Sequence, residues 1–285
     1  MQLSPSCSLS QRENIQLLIV DNHLARAEIS LFGGQLLSFV PKHDQQERLW
    51  LSQAAIMDGK QAIRGGVPVC WPWFGDHPHK ATLANPGAVA AHGYVRTQNW
   101  HIVSTSDNDS ATQVILQPQT AKGEGFDGAA ELSLIIDIGR QCSLQLKTTN
   151  IGNTGFIYRC ALHSYFTVED IKDCQLSGLV GDYLDKTRGM QKFTTPTDYR
   201  FSAETDRVHL CQAQNVTINH GDRTRTIRSA GHDSIVVWNP WQEKSVAMKD
   251  MKDDGYLTML CVETAVTQGQ MVAAGESHIL QQIIE

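Results

Sequence analysis

From Glu131 to Val168 the chain reads ELSLIIDI, Gly139-Arg140, QCSLQLKTTN, a turn holding Gly152-Asn153-Thr154-Gly155, and then FIYRCALHSYFTV. In the first run Leu132, Leu134, Ile136 and Ile138 alternate with Glu131, Ser133, Ile135 and Asp137; in the second, Leu144 and Leu146 alternate with Ser143, Gln145 and Lys147. Successive side chains of an extended chain point to opposite faces, so a period of two puts one face of each run in a core and the other towards water. A helix would scatter the same apolar residues around its axis. Three consecutive runs joined by turns predict an antiparallel meander, and any fold of this chain must accommodate it.

The remainder agrees with an all-β chain. Short β-branched or Leu-rich runs bounded by Gly, Asn, Asp or Pro predict strands at Ile15–Val20, Ala27–Phe32, Leu36–Val40, Trp100–Ser104 and Gln113–Gln117. Later runs predict them at Val208–Cys211, Asn215–Ile218, Ser234–Trp238, Ser245–Met248, Leu257–Thr264 and Ser277–Ile284. No stretch carries a 3.6-residue apolar stripe over three turns, and strands do not alternate with helices. No repeat, low-complexity tract or linker marks a boundary, so residues 1–285 are expected to form a single large antiparallel β-sandwich domain.

Charge and cysteine usage narrow the function classes. A net charge of -6 has the wrong sign for a protein that neutralises the phosphates of a nucleic acid, although a local pair of arginines can still hold a small anion. The first twenty residues lack a basic segment followed by an apolar core, so no signal peptide is expected, and no run is long enough to span a membrane. The seven cysteines are scattered, odd in number and form no CxxC pair. Reduced thiols in a cytoplasmic protein without a zinc site are the expectation.

The segment Ile63–Arg96, IRGGVPVCWPWFGDHPHKATLANPGAVAAHGYVR, is too broken by Gly and Pro to form a regular element, and long irregular loops of such richness commonly carry function. Its His77, His79 and His92 have no carboxylate or thiolate at a recognised ligand spacing, and Arg64-Gly65-Gly66 lacks the spacing of a nucleotide-binding loop. Ser164 has no nucleophile elbow around it, Cys70 between Val69 and Trp71 reads as packed, and Lys249–Asp254 reads as a solvated turn. Two residues stand out on strands. Alternation puts His163 on one face with Ile157, Arg159, Ala161 and Tyr165, and it puts Glu263 at the end of an apolar face with Leu257, Met259 and Cys261. A buried glutamate needs a partner, so Glu263 belongs either to a site or to the sheet edge; His163 belongs either to a site or to a hydrogen-bonded core position. Together they would supply the acid and base of a proton-transfer enzyme, but spacing does not bring them together.

Five ordered motifs, RGGVPVCWPWFG (Arg64–Gly75), AHGYVR (Ala91–Arg96), ALHSYF (Ala161–Phe166), TDRV (Thr205–Val208) and CVETA (Cys261–Ala265), resemble those of bacterial hexose-6-phosphate mutarotases, also called glucose-6-phosphate 1-epimerases, within the aldose 1-epimerase-like proteins. The resemblance runs from about Ile15 to Ile284. It implies a galactose mutarotase-like β-supersandwich that acts on a sugar phosphate and needs no cofactor; no metal is expected from the histidine spacings, and a monomer or weak homo-oligomer is the expectation. By resemblance, His163 is the acid that protonates the pyranose ring oxygen and Glu263 the base at the C1 hydroxyl. Arg64 and Arg96 match arginines around the sugar phosphate, and two guanidinium forks suit a phosphate dianion. Asp206 matches an acidic residue that accepts from sugar hydroxyls. Trp71 and Phe74 suit a sugar-facing wall and equally a core. His92 follows Ala91 where several relatives have Gln, a polar substrate contact.

Overall fold

A computed structural model describes residues 2–83, 87, 89–221 and 223–285, so Ala84, Asn85, Pro86 and Ala88 of the rich loop lie outside the described residues. Among these residues 21 strands form three sheets. The first is a four-stranded meander of β1 (Cys7–Arg12), β2 (Ile15–Asp21), β3 (Ala25–Ser30) and β4 (Gln35–Pro41).

The other two sheets interleave along the chain. The eight-stranded sheet contains β5 (Val69–Cys70), β10 (Phe156–Leu162), β11 (Tyr165–Thr167), β13 (Asp182–Asp185), β14 (Gln191–Thr194), β16 (Thr205–His209), β19 (Ser234–Asn239) and β20 (Met259–Val272). The nine-stranded sheet contains β6 (Trp100–Asp107), β7 (Ala111–Pro118), β8 (Ala130–Gly139), β9 (Cys142–Asn150), β12 (Cys174–Ser177), β15 (Tyr199–Arg200), β17 (Asn215–His220), β18 (Arg223–Ala230) and β21 (Ser277–Ile284).

The period-two runs end where alternation sends them. Leu132, Leu134, Ile136 and Ile138 of β8 and Leu144 and Leu146 of β9 are almost wholly buried in one large core. Facing them in that core are Cys160 and Leu162 of β10, Ile235 and Val237 of β19, and Leu260, Val262 and Val266 of β20, from the eight-stranded sheet. The antiparallel β-sandwich expected from the sequence is present, with two corrections.

The three runs do not make one meander. β8 and β9 pair as a hairpin, but β10 crosses to the other sheet, and β9 takes β21 as its second neighbour. Period two marks a half-buried strand without naming its partner, so a hairpin and a crossover between packed sheets look alike. The second correction concerns Ser245–Met248, which is not a strand: it lies at the end of α1 (Trp241–Ala247), led in by Pro240 in a helical conformation. A four-residue apolar run cannot distinguish the two states.

The eight-stranded sheet is buried on both faces at its centre. All six residues of β19 and the first eight of β20 are buried. The face turned away from the main core carries two small clusters: Cys70, Ala161, Val208, Val236 and Ala265, and then Trp50, Tyr165, Trp238, Met251, Met259 and Cys261. Glu263 projects between these clusters, because it shares a strand face with Cys261 and Ala265.

Candidate active site

His163 and Glu263 are brought together by strand register. Leu162 of β10 pairs with Thr264, and Tyr165 of β11 pairs with Cys261, so the same register holds on both sides of the gap between β10 and β11. Continued across the gap, that register puts His163 opposite Glu263. The His163 Nδ1 lies 3.4 Å from the Glu263 Oε1.

The gap itself is built by Ser164 and Gln282. The Ser164 hydroxyl turns inward to donate to the Gln282 Oε1 on the nine-stranded sheet. The Gln282 amide returns two bonds to β20, to the Val262 carbonyl at 3.2 Å and the Thr264 hydroxyl at 2.8 Å. A polar clamp through the core therefore anchors the residue beside His163. On its outer side the His163 N–H donates to the Pro68 carbonyl.

Both residues are buried, Glu263 at 1% exposure and His163 at 9%. Among the described residues the His163 Nδ1 and the Glu263 Oε2 have no hydrogen-bond partner. Loss of solvent pushes the Glu263 carboxyl well above the ordinary carboxylate range, with Lys186 opposing and Asp206 adding to the shift. Loss of solvent pushes His163 well below its ordinary value, reinforced by His92, Arg96 and Arg64. Burial disfavours the charged form of each group, so the unliganded pair is held uncharged.

The pair opens into a cavity of about 200 Å³ walled by Phe74, His92, Val236, Trp238 and Met248, with Arg64, Lys186, Lys244 and Asp206 at its polar side. Larger clefts of about 520 to 570 Å³ lie elsewhere, but none of them is lined by His163 or Glu263. The sequence expectation for Arg64, Phe74, His92 and Asp206 thus coincides with residues that line this cavity.

Arg64 is held by its surroundings. Gly65 and Gly66 follow it at φ of +120° and +61°, and a Cβ would lie 2.5 Å from the Trp50 carbonyl oxygen at the first and 2.2 Å from that of Leu36 at the second. Only glycine admits that approach between neighbouring chains, and it fixes where Arg64 emerges. The Arg64 guanidinium donates to the Tyr165 hydroxyl at 3.0 Å and to the Asp250 carboxylate at 3.1 Å. Tyr165 and then Asp250 hold its pKa above the ordinary range, against burial. Asp250 lies in the turn that reads from the sequence as solvated; its side chain is only 19% exposed because it meets Arg64 from 186 residues away.

His92 is held at a φ of +66° next to Gly93, where a Cβ would run into the Trp71 carbonyl. The Gly75 N–H donates to the His92 Nδ1 at 3.3 Å, which leaves the ring proton on Nε2. Burial, with Arg96, Lys186 and Arg64, pushes its pKa down to about 3, so it is a neutral donor next to His163, with ring centroids 5.7 Å apart.

The remaining two candidates lie apart from the wall. Trp71 is fully buried in the main core and donates to the Thr148 hydroxyl at 3.1 Å, because it alternates with Cys70. Arg96 does not line the cavity; its guanidinium donates to the Ala91 carbonyl at 3.2 Å, and its charge still acts on His92, His163 and Glu263.

Sequence reasoning missed Lys186, which pairs with Asp206 at 3.3 Å and stands 5.7 Å from the Phe74 ring, and Lys244, which pairs with Glu204 at 2.8 Å. It also missed the cavity role of Trp238. Lysines after a strand or on a short helix carry no local signal of a site. Trp238 does: alternation along β19 puts it on the face of Val236, the cross-strand partner of Glu263.

A β-sandwich that holds a buried imidazole–carboxylate pair against a small cation-rimmed cavity offers the groups that proton transfer on a small polar molecule requires. The chain belongs to the aldose 1-epimerase family, whose model matches residues 16–285. It is 32% identical over 96% of its length to a protein of Salmonella typhimurium and 33% identical over 99% to one of Escherichia coli K12, covering 91% and 94% of those chains. Both carry the provisional name glucose-6-phosphate 1-epimerase. A Salmonella typhimurium crystal structure provisionally described as a mutarotase superposes with a TM-score of 0.89 at 32% identity, covering 99% of this chain and 94% of that one. A galactose mutarotase-related enzyme of Lactobacillus acidophilus superposes at 0.70 with 10% identity, covering 94% and 96%, which shows the fold. Among the described residues no helix is long and apolar enough to cross a membrane, and all seven cysteines are free.

Proposed function

We propose that this protein is an isomerase that interconverts the α and β anomers of a hexose 6-phosphate, with D-glucose 6-phosphate as the substrate. The observation that carries the reading is the His163–Glu263 pair, 3.4 Å apart and buried, facing a cavity with cations at its rim. Anomerisation needs a proton delivered to the ring oxygen and one removed from the C1 hydroxyl. Those two oxygens are bonded to the same carbon, so acid and base must stand close together.

His163 as imidazolium protonates the ring oxygen while Glu263 as carboxylate takes the C1 hydroxyl proton, and the C1–ring oxygen bond breaks to give the open-chain aldehyde. Rotation about C1–C2 presents the other face of the carbonyl. The hydroxyl then adds back, His163 recovers its proton and Glu263 returns its own to the new C1 hydroxyl. The environment that disfavours both charges makes the imidazolium a strong donor and the carboxylate a strong base. Ring opening converts the charged pair into the neutral pair that burial favours.

Arg64, Lys186 and, from a greater distance, Arg96 attract the phosphate, and Asp206 accepts from a sugar hydroxyl while Phe74 packs on the C–H face of the ring. His92 donates to a sugar hydroxyl through Nε2. The protein works in the cytoplasm, as its seven free cysteines suit, as a monomer or weak homo-oligomer.

One observation favours a second substrate class. Arg64, Lys186 and Lys244 each already contact a carboxylate, Asp250, Asp206 and Glu204, so an unphosphorylated aldose would leave these pairs intact. Exchange NMR of α and β glucose 6-phosphate, corrected for spontaneous mutarotation, tests the primary reading; the same experiment on glucose tests the second. No acceleration on the phosphate would overturn the first.

A further inference from the structure

We propose that His163, Cys261 and Glu263 together form a binding site for a thiophilic divalent cation of the zinc type, overlapping the acid–base pair. One ligand atom from each, a ring nitrogen, a sulfur and a carboxylate oxygen, lie within 4.8 Å of one another. The donors share one face of two paired strands: Cys261 and Glu263 are two apart on β20, and His163 stands across from Glu263 by register.

The separation of two of the donors already fits a metal. The 3.4 Å between the His163 Nδ1 and the Glu263 Oε1 matches the edge of a tetrahedron with bonds of about 2.0 to 2.1 Å, the lengths zinc makes to nitrogen and oxygen. A buried polar atom normally has a partner, yet the His163 Nδ1 and the Glu263 Oε2 have none among the described residues. The side chain of Glu263 is only 1% exposed and that of His163 11%, and their ligand atoms and the Cys261 sulfur lie within 4.8 Å of one another.

Charge and ligand chemistry agree. A carboxylate and a thiolate neutralise a dication, and the neutral imidazole adds the third bond without further charge. The cations at the rim, Arg64 and Lys186, are offset by Asp250 and Asp206. A nitrogen, sulfur and oxygen donor set selects zinc-like ions over magnesium or calcium, which prefer oxygen alone. His163 and Glu263 both line the cavity, which offers room for water or a sugar hydroxyl as a fourth ligand.

Occupation of this site takes the acid and the base together, so the cation would block turnover; that consequence rests on the acid–base reading above. The test separates the two. The full chain, stripped with chelator, is titrated with Co²⁺ and with Zn²⁺. One Co²⁺ per chain with thiolate-to-cobalt charge-transfer absorption is expected, displaced by Zn²⁺ and weakened about tenfold or more in both Cys261→Ser and His163→Asn. Absence of the charge-transfer band, or unchanged binding in the two variants, overturns the proposal and assigns any bound metal to other histidines. Circular dichroism of each variant excludes misfolding as the cause of a loss. Binding at these donors that leaves anomer exchange intact upholds the metal site and overturns the acid–base reading instead.

Discussion

The imidazole of His163 lies flat against the phenol ring of Tyr165, with centroids 4.9 Å apart and planes 10° from parallel. Tyr165 accepts a hydrogen bond from Arg64, and Arg64 is held by Asp250. A proposed proton donor and a proposed phosphate cation are thus fixed to one another through a single buried ring. Packing orients the imidazole, since among the described residues its Nδ1 has no hydrogen bond to hold it.

Replacing Glu263 by Gln or His163 by Asn removes one proton-transfer group while keeping shape. Each is expected to lower kcat by about 10² to 10⁴. The double variant should lose little more than either single one, because the two groups act as a unit. Exchange NMR on hexose 6-phosphate measures all three, and near-normal turnover in a single variant removes that residue from its role.

The buried carboxyl also has a stability signature. Its folded-state pKa lies above its ordinary value of 4.5, so the folded state holds more protons than the unfolded state once pH exceeds that value. Glu263 therefore favours the fold at low pH and loses that contribution as pH rises towards its folded pKa, above which the loss is constant. Glu263→Gln should melt progressively higher than the wild type as pH rises from about 4.5. A melting difference independent of pH across that window would contradict the burial argument.

Arg64→Ala and Lys186→Ala are expected to raise KM for glucose 6-phosphate by about tenfold or more, the size of a lost charge-assisted bond, with a smaller effect on glucose. Steady-state anomerisation of both sugars gives the comparison. Equal losses on the two substrates would mean that these cations do not read the phosphate.

Gln282→Met keeps the side-chain length but leaves the Ser164 hydroxyl only its long 3.4 Å contact to the Leu162 carbonyl and leaves β20 without two amide bonds. The expected cost is about 1 to 3 kcal/mol by chemical denaturation. Activity should also fall, although Gln282 is not part of the cavity, because the strand break carrying His163 loses its anchor. Unchanged stability would mean that the clamp contributes nothing net.

The strands were legible wherever one face met water and the other met the core, as in β8 and β9. They were illegible where polarity hid the alternation. β1 is mostly exposed, and β18 reads Arg223-Thr-Arg-Thr, in which Arg225 is drawn inward by the carbonyls of Arg48 and Thr167. Among candidate residues, Glu263 could be singled out because it ends an apolar strand face, and His163 because it shares a strand face with Arg159 and Tyr165, both within one sequence window. Lys186, Lys244 and Asp250 break no such pattern.

By itself, then, the sequence determined the all-β class, the faces of most strands and the two side chains whose burial demands a reason. Tertiary structure alone decided that β10 leaves its hairpin neighbours for the other sheet, that His163 and Glu263 meet by register, and that Asp250 rather than open water receives Arg64. Alternation is a property of one strand and is written in a few consecutive residues. Contacts such as His163 with Glu263 and Arg64 with Asp250, the latter 186 positions apart, depend on which strands close on one another, and that is settled by the packing of the whole core.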